Sequence, residues 1–122
     1  MSFEIKMGPE GILRIIMAGD LDNGIVENFR REYAPYVNAS TPESPLQNLF
    51  LLQTLDRLSP VIRKYLIDLN RDSRFGLAAF VKPSRRAKVL GQFILKATGR
   101  KNIQFFEEET EALNWLRSNN HK

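Results

Sequence analysis

The stretch from Leu77 to Phe106, LAAFVKPSRRAKVLGQFILKATGRKNIQFF, constrains the fold more than any other. An apolar run, Leu77 to Val81, stops at Pro83. A helical pattern follows, Gly99 closes it, and Ile103 to Phe106 is apolar again. Strand, helix and strand in that order form a βαβ unit, whose usual consequence is a parallel pair of strands. The same stretch concentrates positive charge. Lys82, Arg85, Arg86, Lys88, Lys96, Arg100 and Lys101 give +7, and no Asp or Glu interrupts them. The whole chain carries +4, which leaves −3 for the remainder.

The rest of the chain fits around this unit. Phe3-Glu4-Ile5-Lys6 alternates like an edge strand, Met7 to Gly11 is a turn, and Ile12 to Ala18 is a second strand. These two should pair as an antiparallel hairpin. Gly19-Asp20-Leu21-Asp22 reads as a strand break, with Asp22 as helix N-cap. Val26, Phe29, Tyr33 and Val37 then recur at helical spacing, and Pro35 should bend or end the last turn. Asn38 to Pro45, NASTPESP, is a solvated loop. Leu46 to Leu55 is read as a strand, although its periodicity also admits a helix. Ser59-Pro60 starts a second helix, with Ile62, Tyr65, Leu66 and Leu69 inward and Arg63, Lys64 and Asp68 outward. Glu107 to Glu111 places four carboxylates at the start of a last helix, where they suit its positive end. Ala112, Leu113 and Leu116 face the core, with Trp115 at the margin. The expected fold class is α/β: one domain over residues 1–122, a mixed, mostly parallel sheet in the order ββαβαβαβα.

Composition narrows the function classes. The 122 residues contain no cysteine, which removes disulfides, thiolate nucleophiles and thiolate metal sites. The only histidine, His121, is next to the C-terminus, so a histidine-based hydrolytic triad is not expected. Glu107, Glu108, Glu109 and Glu111 lack a neutral ligand beside them and read as dipole partners, not as a metal site. Gly8 and Gly11 are not followed by the GK[ST] of a phosphate loop. The chain reads as a non-enzyme without catalytic residue, metal or cofactor. No long apolar leader opens it, and no run reaches the roughly 18 apolar residues of a membrane span, so a cytoplasmic location is expected. Exposed aromatics interleaved with cations on strands are missing, so nucleic acid is not the expected partner.

The central helix carries the candidate sites. Ser84 is its N-cap, with Lys82, Arg85, Arg86 and Lys88 around it. Cations at a helix N-terminus are mildly unfavourable, and a bound anion would relieve them. Those five residues form a candidate anion site, the alternative being that the long side chains simply stay solvated. Ala87, Leu90, Gly91, Ile94 and Thr98 follow the core stripe. Val89 and Phe93 form a second apolar row beside Arg86, Lys96 and Arg100. That row is either a partner interface with a cationic rim or a buried row, with Phe93 under the last helix against Trp115.

Three stretches resemble the SpoIIAA-like branch of the STAS superfamily, the sulphate transporter and anti-sigma factor antagonist domains. They are Gly19-Asp20-Leu21-Asp22, Leu58-Ser59-Pro60, and SRRAKVLGQFILKATGRKNIQFFEEETEALNWL from Ser84 to Leu116, which resembles the C-terminal half of small stand-alone STAS-like proteins. The resemblance implies a sheet of four or five strands covered by helices, and a non-enzymatic regulatory or binding role. It also implies a phosphorylated serine at the start of the second helix, and the matching residue is Ser59. The local sequence, Arg57-Leu58-Ser59-Pro60, lacks the acidic residue, second hydroxyl and glycine of that motif. Ser59 is therefore read first as a helix cap and second as a phosphoacceptor. The expected role is a protein-interaction module, monomeric or weakly dimeric, with an acidic protein partner. The alternative is a domain that binds a small anion or a lipid headgroup at the basic end of the central helix.

Overall fold

The computed structural model describes residues 2–21, 23–58 and 60–118. Its elements follow the expected order: β1 (Ser2–Met7), β2 (Ile12–Leu21), α1 (Asn23–Asn38), β3 (Leu46–Leu58), α2 (Pro60–Arg71), β4 (Phe75–Val81), α3 (Arg85–Thr98), β5 (Ile103–Phe106) and α4 (Glu109–Ser118). The five strands lie side by side in sequence order. β1 and β2 are antiparallel, and β2 to β5 are mutually parallel.

Sequential order and handedness together decide the layers. Right-handed crossovers that always step the same way keep α1, α2 and α3 on one face of the sheet. There Val26, Phe29 and Tyr33 of α1, Ile62 and Leu69 of α2, and Leu90 and Ile94 of α3 close over Leu13, Ile15, Phe50, Ala78 and Phe80. Only α4 returns to the other face, where Ala112 and Leu116 pack on Ile12, Leu49, Ala79 and Val81. β3 and β4 are inner strands; β4 and residues 46–50 of β3 are buried almost throughout, and the sequence of β4, FGLAAFV, is a continuous apolar run. This settles Leu46 onward as strand: LQNLF is buried between β2 and β4, with each neighbour supplying ladder bonds.

Polar side chains complete the central ladder. Tyr33 donates to Asn48 Oδ1, and Asn48 Nδ2 donates to the carbonyls of Leu46 at 3.0 Å and Leu77 at 3.2 Å. Burial pushes the Tyr33 phenol well above its ordinary range, with neighbouring Tyr65 adding to the shift. Tyr65 is pushed up to about 12, again by burial. Both phenols stay neutral across the physiological range.

Some expectations are corrected. Gly19 does not end the second strand. β2 runs on to Leu21, with register shifts between Met17 and Ala18 and between Gly19 and Leu21. At each shift β3 supplies one residue more than β2, and Gly19, between the two shifts, has a φ of 89° that glycine tolerates. Pro35 does lie in the last turn of α1, which ends at Asn38, and the Ala39 N–H closes on the Pro35 carbonyl at 3.0 Å. β4 begins at Phe75, two residues before the apolar run, and α4 begins at Glu109. Asp22, Ser59 and His121 lie outside the described residues.

Candidate functional site

The parallel strands point their carboxyl ends at one edge of the sheet, and α2 and α3 both start there. The chain enters α3 through a fixed turn. Lys82 sits at a φ of 48°, unusual for a residue with a side chain, and donates its N–H to the Phe106 carbonyl at 2.8 Å. Ser84 is the N-cap: its backbone is extended and its Oγ accepts the Ala87 N–H at 3.2 Å. At the far end Gly99 adopts the left-handed conformation and bonds to the Leu95 carbonyl at 2.9 Å. Lys82, Arg85, Arg86 and Lys88 are exposed around the capped end, and Ser84 is half-buried. Because Phe106 pairs with Lys82, the exposed Glu107 and Glu108 follow directly beside this cationic turn. Those carboxylates offset part of the positive field there, a juxtaposition that sequence distance hides.

The inward row of α3, Ala87, Leu90, Gly91 and Ile94, is buried. A Cβ on Gly91 would come within 2.8 Å of the Phe105 ring, so glycine lets the helix settle close to the sheet. The second row faces out: Val89 is 59% exposed and Phe93 47%. Burial of Phe93 beneath α4 is overturned. Trp115 lies on the other face of the sheet and packs against Phe106, with ring centroids 5.6 Å apart.

α2 contributes to the same groove. Val61 is 49% exposed, and Arg63 lines an open groove with Arg85, Arg86, Val89 and Phe93, floored by Leu90. Sequence reasoning placed Arg63 merely on an outward face and passed over Val61. The available signal was the order of crossovers, which puts α2 beside α3, together with the position of Val61 off the stripe of Ile62, Tyr65, Leu66 and Leu69. Lys96 is exposed on the same helix as Val89 and Phe93.

Arg100 is corrected. It does not rim this face. Its guanidinium reaches across the amino edge of the sheet and donates to the carbonyls of Asn70 at 2.8 Å, Asp72 at 3.3 Å and Phe75 at 2.9 Å. Burial lowers its pKa and Asp72 opposes that shift, so the side chain serves as a buttress between the turn after α2 and the start of β4. Among the described residues no group of three or more His, Cys, Asp or Glu is placed to hold a metal ion. Of the acidic cluster, Glu109 pairs with Arg14 of β2, and both Glu109 and Glu111 lie in the first turn of α4. Among the described residues no helix is long and apolar enough to cross a membrane.

The architecture is shared with solved structures. The anti-sigma factor antagonist SpoIIAA in its unphosphorylated form superimposes with a TM-score of 0.68 at 16% identity, over 96% of this chain and 97% of that one. An uncharacterized protein of the DUF3478 family with a SpoIIAA-like fold, from Shewanella loihica PV-4, gives 0.71 at 18% identity, over 94% of this chain and 92% of that one. The Bacillus cell fate determinant SpoIIAA in its phosphorylated form gives 0.62 at 18% identity, over 95% and 100%. The fold of this chain is SpoIIAA-like. No protein-family model and no curated protein sequence matches it.

Proposed function

We propose that this chain is a regulatory protein-interaction module of the STAS type, which carries no chemistry of its own and binds a protein partner through the outer face of α2 and α3. One observation carries this reading: an exposed apolar pair, Val89 and Phe93, lies among Arg63, Arg85, Arg86 and Lys96. Apolar anchors within a polar rim, with aromatic and arginine side chains prominent, are the usual anatomy of a protein interface. The likeness in fold to an anti-sigma factor antagonist supports a regulatory role. The module acts as a monomer or weak homodimer in the cytoplasm. Ser59 is proposed first as a helix cap and second as a phosphoacceptor.

The test is a photo-crosslinking amino acid at position 89, in the full chain expressed in its own cells, beside control positions Glu32 and Asn114 on exposed parts of α1 and α4. A discrete adduct from position 89 alone supports the reading. Equal labelling from all three positions overturns it.

A second reading rests on the capped and cationic start of α3. A small anion or a phosphate headgroup would be held by Lys82, Ser84, Arg85, Arg86 and Lys88 with the N–H groups of the first turn. The Ser84 Oγ already accepts from Ala87, so an anion would rely on the cations and the backbone.

A further inference from the structure

We infer that the occupant of the α2–α3 groove is an acidic amphipathic helix of a partner protein, laid along α3. The inference rests on the reading of this face as the partner surface and names what that partner presents.

Shape is the first argument. The open groove lies between two helices, with Arg63 of α2 on one side, Arg85, Val89 and Phe93 of α3 on the other, and the buried Leu90 beneath. Arg85, Val89, Phe93 and Lys96 follow one another at intervals of four, four and three along α3. That row is about 16 Å long, or three helical turns. Arg63 of α2 stands on the opposite side. A trough of that length with apolar residues one turn apart matches the i, i+4, i+7 stripe of a helix lying in it. An extended strand would instead need an open sheet edge, and the described residues that line the groove all belong to helices.

Charge is the second argument. Among the described residues the groove lining contains three arginines and no carboxylate, and α3 itself has no Asp or Glu along its length. The nearest acid on the α2 wall, Asp68, is paired with Lys64 at 3.0 Å. Arg85 stands in the first turn of α3, at its positive end, where a carboxylate from a partner would relieve an unfavourable placement. A second copy of this face would set cation against cation. Nucleic acid would use more rings for stacking than the single Phe93. A membrane surface favours apolar tips on a convex face, whereas these residues line a hollow.

A fluorescent peptide of about 14 residues tests the inference, built from Leu, Ala and Glu with Leu at i, i+4, i+7 and i+11 and Glu flanking the stripe. One control is the same composition scrambled to break the stripe, and another has Lys in place of Glu. Binding to the full chain is read by fluorescence anisotropy at low and physiological salt. The striped acidic peptide should bind. Its affinity should fall at least about tenfold in Phe93→Ala protein and in Arg63→Glu/Arg85→Glu protein, and it should fall with salt. Val89→Asp, at a more exposed position, gives a second check should Phe93→Ala unfold. The inference is overturned if the striped peptide does not bind, if the scrambled peptide binds equally, or if neither apolar variant changes the affinity. Binding to phosphatidylglycerol–phosphatidylcholine vesicles, lost in Val89→Asp and without any binding of the peptide, also overturns it in favour of a membrane surface. Specific crosslinking from position 89 to a protein, combined with failure of the peptide, would defeat this inference and leave the interaction reading standing. Failure of both defeats the interaction reading as well.

Discussion

The two ends of α3 carry the same kind of side chain to opposite ends. At the amino edge of the sheet Arg100 is bound into three carbonyls, beside a buried network in which Asn102 Nδ2 donates to Asn70 Oδ1 at 2.7 Å and to the Gly76 carbonyl at 2.8 Å. Asn70 in turn donates to Thr98 Oγ1 at 3.0 Å. That edge ties α2, α3, β4 and β5 to one another. At the carboxyl edge Arg85 lines an open groove, and the adjoining apolar side chains face water. Positive charge alone therefore says nothing about role. An arginine with carbonyls to fill its donors is part of the framework, and one beside exposed apolar residues is available to a partner. A fold that holds its shape at one edge leaves the other edge free of that duty, where loops and helix starts customarily meet ligands.

The largest expected effect breaks this comparison directly. Arg100→Ala removes a charged donor from three part-buried carbonyls and should cost about 2–3 kcal/mol. Arg85→Ala should change stability by no more than about 0.5 kcal/mol. Urea midpoints at constant m-value measure both, and equal losses would erase the distinction between the ends. Between the ends, Gly91→Ala pushes a methyl group against the Phe105 ring and should cost about 1–2 kcal/mol. The lower part of the overpacking range applies because Phe105 is only half-buried and can shift. A neutral or stabilising result would mean that α3 does not depend on this close approach.

Phe93→Ala should leave stability within about 0.5 kcal/mol. A ring truly in the core would lose about 3–5 kcal/mol on truncation, and a melting temperature that collapsed in this variant would return Phe93 to the framework half of the comparison. The anion reading sharpens the same contrast. Phosphate at matched ionic strength should raise the melting temperature above that in chloride, and Arg85→Ala/Arg86→Ala should abolish the difference. Persistence of the rise in that variant would identify general salting-out.

The smallest effect belongs to the amino edge. The Asp72 carboxyl is held below its ordinary range, first by the hydrogen bond from the Arg74 side chain and then by the Arg74 N–H. Its folded pKa is depressed, so the stabilisation is fully present above the ordinary carboxylate range. It is lost as pH falls below about 4 toward the folded value. The group is partly exposed, so the effect is modest. Asp72→Asn should flatten the acid limb of a stability–pH curve slightly. An unchanged limb would show that the pair with Arg74 contributes nothing.

The sequence by itself determined the element order, the hairpin, the parallel βαβ unit, the Ser84 cap and the Gly99 stop. Each of these follows from residues close together in the chain: a repeat period, a capping hydroxyl, a residue that tolerates a left-handed φ. The inward row of α3 was legible for the same reason. Leu46 to Leu55 was ambiguous locally, and its identity as strand came from being flanked on both sides by parallel neighbours. Only the tertiary structure decided that Phe93 faces water while Trp115 packs on the far side of the sheet, that Arg63 completes the groove, and that Glu107 and Glu108 follow the residue bonded to Lys82. It also decided that Arg100 leaves the cationic group to hold three carbonyls. These outcomes depend on which elements the crossovers bring together, and a side chain's partners across the fold leave no mark in its neighbours along the chain.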